Sequence, residues 1–142
     1  MRENAGQYSH GASWLVDALT KLGDLAAERG DERLAAELRA QALDVWIKIS
    51  PLEEYTRERI DTYGLPPHQQ PADVYFGDGY SGRGGWSWYT GAAARMLTAA
   101  HGIVGVEFKD GEVVLAEHVD KAKGRLRLRR IVHNGRTIFG RD

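Results

Sequence analysis

The sequence predicts an α+β protein in which a helical part is followed by a small antiparallel β part. Apolar residues recur with helical spacing in two long stretches before residue 51 and again after residue 91. Beyond Gly102 the pattern changes to short runs of strand-forming residues, joined at two places by Asp-Gly or Asn-Gly. These dipeptides favour tight hairpins. The change of pattern therefore predicts two modules in one chain of 142 residues.

Two amphipathic helices are predicted first. The apolar residues of 11–29 follow the i, i+3, i+4, i+7 spacing: Leu15, Ala18, Leu19, Leu22, Leu25 and Ala26. Gly30 is typical of a helix end and Asp31 of an N-cap, so a second helix is predicted from there to about Ser50. The pair forms an antiparallel hairpin. Each helix has a single apolar stripe, so we expect the stripes to face further helices.

The segment 51–91 has no helical or strand period. It contains all four prolines, and six of the fifteen residues from Gly77 to Gly91 are glycine. A long connection without secondary structure is usually functional or disordered. The aromatic residues of the segment argue against disorder. We therefore expect an ordered loop rich in glycine and aromatic residues, followed by a short helix from Ala92 to about His101.

Two hairpins are predicted in the β part. Residues 106–108 and 113–115 flank Asp110-Gly111, and residues 127–132 and 137–139 flank Asn134-Gly135. Residues 121–130 form a basic stripe with interleaved leucines. The stripe fits either a weak polyanion-binding patch or a strand with one solvated and one buried face, and the second interpretation is simpler.

The composition excludes several classes of function. A net charge of -1 with 42% hydrophobic and 27% charged residues is typical of a soluble globular chain and gives no reason to expect a nucleic-acid partner. No apolar run approaches the roughly 18 residues of a membrane span, and residues 1–4 do not begin a secretory signal. We expect a cytoplasmic location, or the cytoplasmic side of a membrane-bound parent protein. Without cysteine, and with five scattered histidines, no metal site is expected.

Polar groups stand at two of the predicted helix starts. His10 precedes the first helix, and Thr90 and Gly91 precede the helix from Ala92. The first turn of a helix presents N–H donors and a partial positive charge, and therefore binds anions. A phosphate held by the His10 imidazole, the Thr90 hydroxyl and the Gly91 amide is one interpretation. The other is that Thr90 is an ordinary cap and His10 a structural histidine.

Aromatic and amide side chains of the same loop indicate sugar binding. Trp86 and Trp88 suit stacking on the apolar faces of a sugar, and Gln69 and Gln70 can hydrogen-bond to hydroxyl groups. The alternative is that the tryptophans form a small core within the loop and that the glutamines bind water.

Three motifs resemble the C-terminal part of glycoside hydrolase family 94. They are residues 2–10 (RENAGQYSH), 72–75 (ADVY) and 82–91 (GRGGWSWYTG). This family comprises inverting phosphorylases, and the third motif is most similar to the phosphorylase section of cyclic β-1,2-glucan synthases and to 1,2-β-oligoglucan phosphorylases. The resemblance covers roughly residues 2–105.

The resemblance implies a fold and a set of binding residues. Residues 1–104 would be the last helices of an (α/α)6 toroid-type barrel, and residues 105–142 a small C-terminal β module. His10, Thr90 and Gly91 would contact phosphate. The sugar contacts that we expect from the resemblance and the loop together are Glu3, Gln7, Gln69, Gln70, Trp86 and Trp88. Arg95 stands where relatives often have a tryptophan.

The resemblance also implies a reaction. Phosphate attacks the anomeric carbon in place of water, while a carboxylic acid protonates the departing oxygen. The acid is expected upstream of this chain, so no catalytic residue is assigned and the isolated chain is expected to be inactive. Inorganic phosphate is a co-substrate, and no cofactor is expected.

The sequence therefore predicts the C-terminal part of an inverting phosphorylase acting on β-glucans, with β-1,2-linked chains favoured. Its partners would be a β-glucan oligosaccharide, phosphate, and the remainder of the barrel in the same or another chain. The chain begins inside a motif and resembles the tail of a longer polypeptide. A catalytically inactive carbohydrate-binding protein, or a degenerate remnant of the same fold, is the alternative.

Overall fold

A computed structural model describes residues 6–54, 57–87, 91–116 and 128–140 of the chain. Within these ranges the helices are α1 (Ser9–Glu28), α2 (Glu32–Lys48), α3 (Pro51–Glu54), α4 (Ile60–Tyr63) and α5 (Ala92–Ile103). The strands are β1 (Gly6–Tyr8), β2 (Asp73–Tyr75), β3 (Val106–Lys109), β4 (Glu112–Leu115), β5 (Arg130–His133) and β6 (Arg136–Gly140). The mixture of helices with small antiparallel sheets is the predicted α+β class. Three predicted site residues, Glu3, Trp88 and Thr90, and most of the basic stripe lie outside the described residues.

The chain divides into two compact units, residues 1–99 and 100–142. In the first unit α1 and α2 form the predicted helical hairpin. Gly30 has a φ of 80°, and the Asp31 carboxylate accepts a hydrogen bond from the Leu34 N–H at 3.0 Å, so the turn between the helices is the predicted stop followed by an N-cap. However, α1 begins at Ser9, because β1 leads directly into it and the Ser9 N–H donates to the Ala72 carbonyl. His10 therefore lies in the first turn of the helix, not ahead of it as predicted.

The buried face of α1 is made of small residues. They are Ser9, Ser13, Val16, Thr20, Gly23 and Ala26. A Cβ on Gly23 would lie 3.0 Å from Arg39 Cγ and 3.3 Å from the Ala35 carbonyl oxygen, so the two helices approach closely at this point. The large side chains lie on the opposite face and are about half exposed: Trp14, Leu15, Leu22 and Leu25. We call these four residues the leucine face.

The predicted loop contains more secondary structure than expected, namely α3, α4 and β2. β2 pairs with β1 in an antiparallel register that aligns Gly6 with Tyr75 and Tyr8 with Asp73. On its other edge β2 meets residues 82–86, through hydrogen bonds from the Tyr75 N–H to the Arg83 carbonyl and from the Gly85 N–H to the Asp73 carbonyl. The sequence pattern missed β2 because three residues are too short to show a period.

α5 is connected to both long helices. Arg95 forms an ion pair with Asp17 of α1, and the Trp46 indole N–H of α2 donates to the Met96 carbonyl at 3.0 Å. Ala92, Met96 and Ala99 recur at helical spacing and are buried. The helix ends at Ile103, two residues beyond the predicted end.

The second unit contains the two predicted hairpins. Asp110 and Asn134 have φ angles of 51° and 49°, and the glycine after each also has a positive φ. These are the angles of the tight turns that Asp-Gly and Asn-Gly favour. The His133 side chain Nε2 lies 2.9 Å from the Gly111 carbonyl oxygen, which links one turn to the other. A boundary between domains at residue 104 remains a prediction.

Candidate anion- and sugar-binding site

His10 and Gly91, far apart in sequence, are in contact. A Cβ placed on Gly91 would lie 2.9 Å from His10 Cε1, with Nδ1 and Nε2 at 3.4 and 3.6 Å. The imidazole therefore occupies the space that a side chain at position 91 would need. Glycine is required here for the approach of the histidine ring, a reason that the sequence did not reveal.

Gly91 is also the N-cap of α5. Its carbonyl accepts a hydrogen bond from the Arg95 N–H at 3.2 Å and so begins the hydrogen-bond series of the helix. A cap role is one of the two interpretations of Thr90 from the sequence, and Thr90 lies outside the described residues.

The N-termini of α1 and α5 lie close together, because His10 and Gly91 each stand at a helix start. Asp17 follows His10 by about two helical turns, and Arg95 follows Gly91 by about one turn. His10 contacts Gly91, and Asp17 forms an ion pair with Arg95, so two contacts connect the same two helices. An antiparallel arrangement would separate Asp17 from Arg95, so the two helices are not antiparallel. The partial positive charges of two helix starts therefore converge at His10 and Gly91.

The surroundings of His10 are aromatic and open to solvent. Its ring centroid lies 5.2 Å from that of Trp14, in an edge-to-face arrangement, and 6.0 Å from that of Tyr8. The Ser13 hydroxyl donates to the His10 carbonyl at 2.6 Å. His10 is half-buried and Gly91 is exposed. We call the His10 imidazole and the first turn of α5 together the anion site, because they are the candidate contacts of an anion.

The glutamines predicted to bind sugar have different environments. Gln7 is exposed on β1, opposite Val74. Gln70 is buried, and its amide donates to the Ile49 carbonyl at 2.8 Å. Gln69 accepts a hydrogen bond from the Ser87 hydroxyl at 2.9 Å. The Gln70 side chain therefore makes a structural hydrogen bond, and the Gln69 side chain holds the Ser87 hydroxyl in place.

Trp86, the described one of the two predicted tryptophans, lines a cavity of about 630 Å³. Its side chain is 49% exposed, so it does not form a buried core within the loop. Tyr75, Tyr80, Arg83 and Ser87 line the same cavity. None of these four is among the site residues that the sequence predicts. We call this space the aromatic cavity.

Within the described ranges, no three His, Asp or Glu side chains are close enough together to hold a metal ion. Likewise, none of the helices in those ranges combines the length and the apolarity needed to cross a lipid bilayer.

The chain is similar to known proteins over the region that contains the three motifs. Residues 1–105 match the family model described as the glycosyl hydrolase 94 superfamily, catalytic domain. The chain is also similar to cyclic β-(1,2)-glucan synthase NdvB of Rhizobium meliloti (strain 1021), with 34% identity over 122 residues. The match covers 84% of this chain and 4% of that relative, so the chain corresponds to a small part of it.

Proposed function

Because the chain belongs to the glycosyl hydrolase 94 superfamily, we propose that it is the C-terminal part of an inverting glycoside phosphorylase acting on β-1,2-linked glucans. The linkage is taken from the printed name of the similar glucan synthase. The observation that supports the chemistry best is the contact of His10 with Gly91 where two helix starts converge. The reaction is proposed to take place in the cytoplasm or on the cytoplasmic side of a membrane-bound parent protein.

In the proposed mechanism the anion site holds inorganic phosphate. An imidazole N–H of His10 and the N–H groups at the start of α5 donate to phosphate oxygens, and the Thr90 hydroxyl adds a further contact. The positive ends of two helix dipoles favour the negative charge. Phosphate is already a nucleophilic anion, so no base is required to activate it.

The bound phosphate oxygen attacks the anomeric carbon of the terminal glucose. The bond from that carbon to the glycosidic oxygen breaks, and a carboxylic acid gives its proton to the departing oxygen. The products are glucose 1-phosphate, with inverted configuration, and a glucan shorter by one unit. We propose that this acid belongs to a segment preceding the present residues. The reaction then uses no cofactor besides phosphate as co-substrate.

In the proposed barrel the helices would also pack against helices outside the present chain. α1, α2 and α5 would be among the last helices of an (α/α)6 barrel, and the leucine face would pack against other helices of it. The remainder of the barrel is thus a proposed partner, in the same or another chain. The aromatic loop after β2 would form part of the sugar site.

The test combines this chain with a polypeptide that carries the remainder of the barrel. Phosphate-dependent release of glucose 1-phosphate from β-1,2-glucooligosaccharides is measured. We expect His10→Ala and Thr90→Ala to lower kcat/KM for phosphate by at least about tenfold, equivalent to roughly 1.4 kcal/mol of transition-state stabilisation. Affinity for the glucan should change much less.

His68→Ala is the matched control, because His68 is an exposed histidine in a turn and belongs to neither α1 nor α5. It should behave as the wild type. Equal loss of phosphate and glucan affinity in the His10→Ala variant would contradict the assignment. Glucan binding without any phosphate-dependent reaction would favour the inactive carbohydrate-binding alternative.

A further inference from the structure

We propose that the aromatic cavity is a binding subsite for a neutral glucose unit of a glucan, and that it acts independently of the anion site. The identity of the ligand rests on the proposed function. The position of the subsite rests on the cavity itself, whose volume of about 630 Å³ lies within the usual range for small-molecule sites.

Aromatic side chains supply the apolar surfaces of the cavity. Tyr80 is 40% and Trp86 49% exposed, so both side chains are accessible to a ligand. The ring of Tyr75 is fixed by close packing, because a Cβ on Gly85 would lie 3.0 Å from the Tyr75 hydroxyl oxygen. The pyranose ring of β-linked glucose has all its substituents equatorial and therefore presents two apolar faces of C–H groups. Such faces suit stacking on aromatic rings.

Polar groups at the cavity are suited to sugar hydroxyl groups. The Arg83 guanidinium carbon lies 5.9 Å from the centre of the Tyr80 ring, which holds this arginine beside the stacking surface. Its planar fork can donate several hydrogen bonds. The Ser87 hydroxyl donates to Gln69 at 2.9 Å and so keeps its own lone pairs as acceptors for a ligand hydroxyl.

The described lining of the cavity has few positively charged groups for a phosphorylated ligand. Arg83 is the charged residue among the described residues that line it. Its guanidinium carbon lies over the Tyr80 ring. A phosphorylated ligand is normally held by several donors or by a helix start, and the anion site provides that arrangement elsewhere. The aromatic surface therefore dominates recognition in the cavity.

The main-chain hydrogen bonds fix the cavity residues in place. The Arg83 N–H donates to the Tyr80 carbonyl at 3.0 Å, and the Gly84 N–H donates to the Tyr63 carbonyl at 2.9 Å. A Cβ on Gly84 would lie 2.6 Å from Leu65 Cδ1. The backbone beneath the aromatic rings is thus tightly packed, and the subsite is formed before a ligand arrives.

The experiment measures binding to the 142-residue chain, immobilised at low density on a biosensor. The probes are a β-1,2-linked glucose trisaccharide, the corresponding mannose-based trisaccharide, glucose 1-phosphate and inorganic phosphate. We expect the glucose trisaccharide to bind at least fivefold more tightly than the mannose-based one, in which the axial oxygen at C2 of each unit disturbs one apolar face. Tyr80→Ala and Arg83→Ala should each weaken trisaccharide binding at least fivefold and leave phosphate binding unchanged.

Phe76→Ala is the matched control. Phe76 is an aromatic residue of the same loop, 61% exposed, and is not among the residues that line the cavity. It should bind the trisaccharide like the wild type. Circular dichroism of each variant verifies the fold, and the exposure of Tyr80 makes a folding defect from its replacement small.

The outcomes separate this subsite from the proposed function. Trisaccharide binding that is unaffected by Tyr80→Ala and Arg83→Ala would overturn the subsite. A chain that binds glucose 1-phosphate but not the trisaccharide would overturn it as well. If His10→Ala still abolished phosphate binding in that case, the proposed function would survive. If the trisaccharide binds through Tyr80 and Arg83 while phosphate does not bind at all, the subsite stands and the phosphorylase assignment fails.

Discussion

At the scale of single residues, the contact between His10 and Gly91 has the most direct consequence. The Gly91→Ala variant would place a methyl group 2.9 Å from His10 Cε1, which forces the imidazole to move. We expect kcat/KM for phosphate to fall about tenfold in the reconstituted barrel, or about 1.4 kcal/mol. The N-cap change adds a stability loss of about 1 kcal/mol, because glycine caps better than alanine.

A double-mutant cycle separates these two effects. In the His10→Ala background the ring is absent, so Gly91→Ala should cause no further loss of phosphate use, while the loss of stability should persist. Additive losses of phosphate use in the double variant would contradict the proposed role of the glycine.

Individual residues also show the limits of sequence analysis. His10 and Gly91 were selected because each stands near a helix start, a local property that the sequence displays. The structure adds that the missing side chain of Gly91 makes room for the His10 ring. Similarly, Arg95 gave no local signal, since its partner Asp17 is 78 residues away. Contacts between distant residues depend on tertiary packing, which cannot be predicted from local propensities or from the hydrophobic period of a segment.

At the scale of elements, the caps and tight turns were the most predictable features. Gly30-Asp31, Asp110-Gly111 and Asn134-Gly135 each determine their backbone locally, and the structure has the expected turn at all three. The buried face of α1 was not predictable in this way. Its helical period indicated the leucine face, whereas small residues pack against α2 because they allow the closest approach. The short strand β2 depends on its neighbours for its formation.

The ion pair between α1 and α5 can be tested by its effect on stability. Arg95 and Asp17 are 35% and 20% exposed, so their interaction is less screened than that of a surface pair. We expect Asp17→Ala to lower the free energy of unfolding by about 1–2 kcal/mol, measured by urea denaturation at low protein concentration. Arg95→Ala should cause little additional loss in the Asp17→Ala background.

The exposed Arg33–Glu37 pair of α2 is the matched control, with side chains 80% and 51% exposed. Glu37→Ala should change stability by less than about 0.5 kcal/mol. Equal effects of Asp17→Ala and Glu37→Ala would show that the pair between the helices contributes no more than a surface pair.

The contact beneath the aromatic cavity provides a second test of an element. A methyl group on Gly84 would overlap Leu65 Cδ1, at 2.6 Å, and would lie 3.0 Å from the Tyr63 ring. We expect Gly84→Ala to lower the free energy of unfolding by about 2 kcal/mol and to weaken trisaccharide binding. Leu65→Ala in the same chain should restore part of both. A second loss of equal size on adding Leu65→Ala would contradict the proposed overlap.

At the scale of the whole molecule, the leucine face predicts self-association of the isolated chain. Trp14, Leu15, Leu22 and Leu25 are each 46–58% exposed on one side of α1, and a contiguous apolar surface of this kind promotes contact between copies. Sedimentation velocity should therefore detect species larger than a monomer at micromolar concentration. The double variant Leu22→Glu/Leu25→Lys should be monomeric and keep its helical circular dichroism.

A matched control places the same charges elsewhere. Ala36 and Ala40 are exposed on α2, and Ala36→Glu/Ala40→Lys should leave the self-association unchanged. A wild-type chain that remains monomeric at high concentration would show that the leucine face does not attract a second copy.

The backbone pairing on both edges of β2 has a consequence for how the chain tolerates changes of length. The Gly82 N–H donates a hydrogen bond to the Tyr75 carbonyl at 2.9 Å. Residues 76–81 therefore form a loop whose two ends are held together by this bond. Insertions or deletions between these two points would alter the rim of the aromatic cavity, which Tyr80 lines, and leave His10 and Gly91 in place. A change of length in this one hairpin would therefore alter the proposed glucose subsite separately from the proposed phosphate contacts.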